Sequence, residues 1–73
     1  MLLDDLDKRI LDLLENHPLN LSLEGIIFVY TNMYEYTNTE DIKTSLKKLI
    51  SLGLLIKKGT YYGLLTKQKE ITN

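Results

Sequence analysis

Leu3, Leu6, Ile10, Leu13 and Leu14 recur at helical spacing, while Asp4, Lys8, Asp12 and Glu15 fall on the other side of the same wheel. This pattern predicts a first amphipathic helix over about residues 4 to 16. Asp4 or Asp5 can cap its N-terminus, Asp7 complements the dipole there, and Pro18 pushes His17 out of helical geometry and ends it. Leu19-Asn20-Leu21 reads as a short extended piece, with the two leucines on one side. Ser22 offers an N-cap to a second helix, whose stripe is Leu23, Ile26, Ile27, Tyr30, Met33 and Tyr34. The run Ile26-Ile27-Phe28-Val29-Tyr30 has strand propensity, but the stripe persists too long for a typical strand and Glu24 suits a helix start.

Tyr36-Thr37-Asn38-Thr39 is polar and turn-forming, and Thr37 with Glu40 or Asn38 with Asp41 fits a helix N-terminus. The third helix, over about 39 to 52, carries the stripe Ile42, Leu46, Leu49 and Ile50, and Gly53 is placed to stop it in the left-handed conformation. Beyond it, Leu54 to Lys57 and Thr60 to Leu65 flank Lys58-Gly59, a hairpin turn with glycine available for positive φ. The expected class is mainly α with a small β-hairpin, an α+β arrangement of three helices and a C-terminal two-stranded ribbon. One domain over 1–66 is followed by a tail over 67–73.

With 73 residues the chain holds one small domain and no large enclosed cavity. Cysteine is absent, so neither disulfides nor thiolate metal sites reinforce the core. The start lacks the features of a secretory signal and no apolar stretch reaches the length of a membrane span, so the expectation is a cytoplasmic chain without membrane contact. On that reading the Asn20-Leu21-Ser22 glycosylation match is chance.

Charge adds a feature that hydropathy does not show. Residues 1–41 hold Lys8 and Arg9 against nine acids, a net charge of −7, whereas residues 42–73 hold seven lysines against Glu70 alone, a net charge of +6. Such a chain, only −1 overall, can present one positive face to a polyanion, with the seven lysines opposite helix one. The plainer alternative is that these charges only solvate the surface and pair with acids of the front half.

Three helices, an extended piece between the first two, and a hairpin after the third is the order of winged helix-turn-helix domains. The string Ser45-Leu46-Lys47-Lys48-Leu49-Ile50-Ser51-Leu52-Gly53-Leu54-Leu55-Ile56 resembles the end of a recognition helix of that superfamily. Gly59-Thr60-Tyr61-Tyr62-Gly63-Leu64-Leu65-Thr66 is similar to its returning wing strand. The resemblance covers residues 4–66, matches no individual family, and implies double-stranded DNA binding, sequence-tolerant or modestly specific. Helix three (about 39–52) and the wing (about 54–65) would carry it, as in a small transcriptional regulator. With Ile42, Leu46 and Leu49 turned inward, the opposite stripe is Glu40, Thr44, Lys47 and Ser51, flanked by Lys43 and Lys48. On the resemblance, Thr44 and Lys47 reach base edges, Lys43 and Lys48 meet phosphates, and Lys57 and Lys58 at the wing tip touch the backbone.

Two features oppose strong sequence discrimination. Arg9 is the only arginine, so helix three cannot read guanine bidentately, and Glu40 with Asp41 repels phosphate at its N-terminus. Tyr30 and Tyr34 fit the core, one of Tyr61 and Tyr62 must face inward, and the outward one can touch DNA. Phe28 projects away from Tyr30, towards Thr31 and Asn32. It defines the rival reading, a protein-interaction module that uses Phe28, the acidic first helix or the wing to hold another protein or a second copy. Catalysis is not expected. The chain offers no cysteine nucleophile, no phosphate-cradling glycine loop and a single imidazole, His17, so neither an enzyme, a metal site nor a cofactor is foreseen.

Overall fold

The computed structural model describes residues 3–17, 20–35 and 38–65. Its elements are α1 (Asp5–Glu15), β1 (Leu21–Ser22), α2 (Leu23–Met33), α3 (Thr39–Ser51), β2 (Leu55–Lys58) and β3 (Tyr61–Leu64). The three strands form one antiparallel sheet in the order β1-β3-β2, so the architecture is three helices with a small three-stranded sheet. The expected tail, together with Pro18, Leu19, Tyr36 and Thr37, lies outside the described residues.

Each helix start is closed by a short polar side chain. Asp4 caps α1 and forms a reciprocal box with Asp7: the Asp7 amide donates to Asp4 Oδ1 at 2.9 Å and the Asp4 amide donates to Asp7 Oδ2 at 3.1 Å. Ser22 ends β1 and also caps α2, its hydroxyl accepting from the Gly25 amide at 3.2 Å. Asn38 caps α3, accepting from the Glu40 amide at 2.7 Å. The polar segment before α3 therefore works through Asn38, while Thr37 lies outside the described residues.

Gly53 ends α3 as expected. Its φ is +79°, the Leu54 amide donates to the Leu49 carbonyl and the Gly53 amide to the Ile50 carbonyl, each at 3.0 Å. This pair of bonds is a Schellman closure, in which a left-handed glycine satisfies the last helical carbonyls. It turns the chain straight into β2. The hairpin turn sits one residue later than the sequence suggests. Lys58 pairs with Tyr61, leaving Gly59 and Thr60 as the two loop residues. Gly59 has φ +61° and Thr60 does not have positive φ, the combination expected of a type II′ turn with glycine first.

The core is Ile10, Leu13 and Leu14 of α1, Ile26 and Tyr30 of α2, Ile42, Leu46 and Leu49 of α3, and Leu55 of β2. Burying each such side chain contributes about 1.5–3 kcal/mol. The strand alternation sends Leu55 and Tyr62 towards the helices and leaves Lys58 and Tyr61 on the outer face. Tyr62 is thus the inward tyrosine, half-buried, and Tyr61 the outward one. The short strand before α2 is Leu21–Ser22, whose partners are Tyr62 and Tyr61.

One member of the α2 stripe departs from expectation. Met33 is 46% exposed. It is the last helical residue, and the cover at that end comes instead from Tyr34, whose ring lies 4.9 Å from that of Tyr30 and beneath the Arg9 guanidinium at 5.0 Å. Arg9 Nη1 also donates to the Tyr30 hydroxyl at 3.2 Å, a bond that raises the guanidinium pKa further and ties α1 to α2.

Candidate nucleic-acid interface

How α3 is rolled about its axis decides which of its residues reach solvent, and a polar cluster sets that roll. Asp7, in the first turn of α1, is only 1% exposed. One carboxylate oxygen, Oδ1, accepts from the Ser45 hydroxyl; the other, Oδ2, accepts from the Asp4 amide at 3.1 Å and pairs with Lys48 Nζ at 2.5 Å. Burial alone would push the Asp7 carboxyl up. The bonds from Lys48, Ser45 and Asp4, with the Lys48 charge, outweigh that and hold it below its ordinary value. The hydrogen bond to Asp7 correspondingly raises the Lys48 ammonium against a smaller desolvation effect. Asp4 Oδ2 lies 3.9 Å from the same ammonium.

This arrangement gives Lys48 a place other than the phosphate-facing one assigned from the sequence. Its ammonium is directed at α1 and held by Asp7, so it does not belong to a continuous lysine face opposite α1. From the sequence, Asp7 is expected to complement the helix dipole, and Ser45 carries no expectation of its own. A detectable signal existed: Asp7 continues the Leu3, Ile10, Leu14 spacing on α1, and Ser45 stands between Ile42 and Leu49 on α3. Two polar residues at core positions on different helices point to a buried partnership.

With Ser45 and Lys48 on the α1 side, Thr44, Lys47 and Ser51 are exposed, as is Glu40. Lys47 forms no ion pair among the described residues. Lys43, half-buried, pairs with Glu40 at 3.3 Å. Exposed pairs of this kind are weak, which leaves Lys43 exchangeable between Glu40 and an external anion. In the hairpin, Lys57 and Lys58 are exposed, and Lys57 Nζ lies 5.6 Å from the centre of the Tyr62 ring, within cation–π range. Lys67 and Lys69, the remaining lysines of the basic half, lie outside the described residues. The uncommitted positive groups on α3 and the hairpin are therefore Lys47, Lys57 and Lys58.

Two grooves open beside these elements. One, of about 490 Å³, lies between the start of α2 and the hairpin tip and is lined by Ser22, Leu23, Glu24, Lys57, Thr60, Tyr61 and Tyr62. A smaller one of about 230 Å³ is formed by Leu11, Glu15, Leu54 and Leu64. Elsewhere on the surface, Phe28 is 69% exposed on α2. Among the described residues no group of three or more His, Asp or Glu is placed to hold a metal ion, and no helix is long and apolar enough to cross a membrane. His17 Nδ1 lies 2.8 Å from the Leu13 carbonyl oxygen at the end of α1. No protein-family model, curated protein or solved structure matches this chain.

Proposed function

We propose that this chain is a winged helix-turn-helix domain that binds double-stranded DNA with modest sequence preference, α3 lying in the major groove and the β2-β3 hairpin acting as the wing. The observation that carries the reading is the pairing of an exposed α3 face, Thr44, Lys47 and Ser51, with exposed lysines at the hairpin, Lys57 and Lys58. A helix of 13 residues whose opposite side is locked to α1 can enter a groove without losing its packing. Lys47 and Thr44 are the side chains for base edges, and Lys57 and Lys58 are those for phosphate, with Lys43 joining when it exchanges Glu40 for a phosphate. A role in transcriptional regulation belongs to the same proposal.

The small number of uncommitted lysines makes the reading quantitative. The two phosphate contacts release counterions with a slope of about −2 in log affinity against log salt, and Lys43 would carry it towards about −3. Fluorescence anisotropy of a labelled duplex across a salt series measures this directly. A slope in that range, reduced by about one in Lys57→Ala, supports the proposal; binding that is absent at low salt contradicts it.

A second reading is favoured by Phe28. An aromatic ring exposed to this degree on the outer side of α2 suits a protein-interaction module, including association with a second copy. Its signature would be partner binding lost in Phe28→Ser and almost indifferent to salt.

A further inference from the structure

The larger groove has walls of unlike chemistry. Its lining includes Tyr61, 53% exposed, with Tyr62, Lys57, Glu24 and the hydroxyl-bearing Ser22 and Thr60. Glu24 and Lys57 face the same space without forming an ion pair, and Glu24 has no ion pair among the described residues. The Ser22 oxygen accepts from the Gly25 amide, which leaves its O–H as a donor. A carboxylate and an ammonium that form no ion pair, lining the same groove as an exposed tyrosine, suit a flat ligand that has amino donors at one end and an anion at the other. An unpaired nucleotide has that form: a π-face for stacking, an exocyclic amino edge on cytosine, adenine or guanine, and a phosphate. The volume of about 490 Å³ falls within the ordinary range of small-molecule sites.

We infer that the groove beside the hairpin holds one unpaired nucleotide at the end of a duplex, with its base stacked on Tyr61, its amino group donating to Glu24 and its phosphate paired with Lys57. This deepens the nucleic-acid reading above and rests on it. It also gives a second use to Glu24, whose carboxylate already complements the dipole in the first turn of α2. Thymine has no exocyclic amine, so the carboxylate discriminates against it.

The test compares a blunt duplex with the same duplex carrying a one-nucleotide overhang, 3′ or 5′, by anisotropy at fixed salt. The expected result is that a cytosine overhang binds about tenfold more tightly than the blunt end, a preference of the size that one base–aromatic stack carries. A thymine overhang gains less. Tyr61→Ala brings the ratio of overhang to blunt affinity to about one and Tyr61→Phe keeps it. Glu24→Gln equalises cytosine and thymine. Equal affinity of the natural chain for blunt and overhanging ends overturns this inference while leaving duplex binding intact, as does a preference that survives Tyr61→Ala. If no duplex binds at all, the DNA reading fails, and titration with dCMP followed by NMR decides the groove separately. Shifts at Tyr61, Glu24 and Lys57 sustain it; their absence at millimolar dCMP overturns it.

Discussion

Removing the Asp7 carboxylate should damage the fold more than any surface charge change. In Asp7→Ala, the Asp4 amide loses its acceptor in the capping box, worth about 1 kcal/mol. The Ser45 hydroxyl, itself buried, loses the oxygen it donates to, and hydrogen bonds to charged groups contribute about 1.5–3 kcal/mol. Lys48, whose side chain is 28% exposed, can turn its ammonium to water, so the total belongs at the lower end of the about 3–5 kcal/mol seen when a buried pair is broken. The expected loss is about 3 kcal/mol, against a total stability that for so small a domain is near the lower end of the usual range, about 5 kcal/mol. Urea unfolding followed by circular dichroism at neutral pH measures it as a fall in midpoint with the slope unchanged.

Asp7→Asn separates charge from shape. With its amide oxygen placed for the Asp4 amide and Lys48, and its amino group donating to the Ser45 oxygen, it keeps three bonds and loses only the charge, at a cost of about 1–2 kcal/mol. The sign of the pH dependence follows from the depressed folded pKa. Asp7 stabilises the fold above the unfolded carboxyl value of about 4, and that contribution is lost as pH falls through the lower folded value. Asp7→Asn should therefore lose stability less steeply below about pH 4 than the natural chain. An Asp7→Ala chain within about 0.5 kcal/mol of the natural one, a surface-like effect, would refute the argument that this cluster holds α1 to α3.

Lys47→Ala and Lys48→Ala should behave oppositely: the first weakens binding to the preferred duplex by about 1–3 kcal/mol, and other duplexes less, with the urea midpoint unchanged, whereas the second leaves duplex binding unchanged and lowers the midpoint. Gly53→Ala should cost about 1 kcal/mol although nothing crowds the site, because its φ of +79° strains an L-residue. At Gly63 the problem is space: an added Cβ would stand 2.5 Å from Asn20 Oδ1, the end of an exposed side chain, so the loss in Gly63→Ala should be reversed by adding Asn20→Ala. Both are read from urea midpoints. Phe28→Ser should leave stability within about 0.5 kcal/mol of the natural chain, since the ring contributes little burial.

Local signals reached as far as local physics does. Asp4, Ser22 and Asn38 as caps, Gly53 as a stop, and a glycine-bearing hairpin are encoded within a few residues of where they act, so the three helices and the ribbon could be read from the chain. The cluster of Asp7, Ser45 and Lys48 joins positions 38 residues apart. A lysine beside an apolar stripe looks the same whether it turns to solvent or to a buried acid on another helix, and only the polar interruptions at Asp7 and Ser45 hinted at the latter. The one-residue displacement of the turn has a related cause. Lys58 and Thr60 both suit a loop, and the register is fixed by the pairing of Leu55 with Leu64, which the sequence alone does not specify. Likewise, the groove between Glu24, Lys57 and Tyr61 exists only once β1 pairs with β3 and brings the start of α2 beside the hairpin.

The most direct test of the central claim is a ¹H–¹⁵N NMR titration of the chain with a blunt duplex at two salt concentrations. The proposed interface predicts shifts concentrated at Thr44, Lys47, Ser51, Lys57 and Lys58 that diminish at the higher salt, with the buried face around Ser45 and Asp7 unmoved. Shifts that are absent at low salt, or that gather around Phe28 and α1 instead, would contradict it.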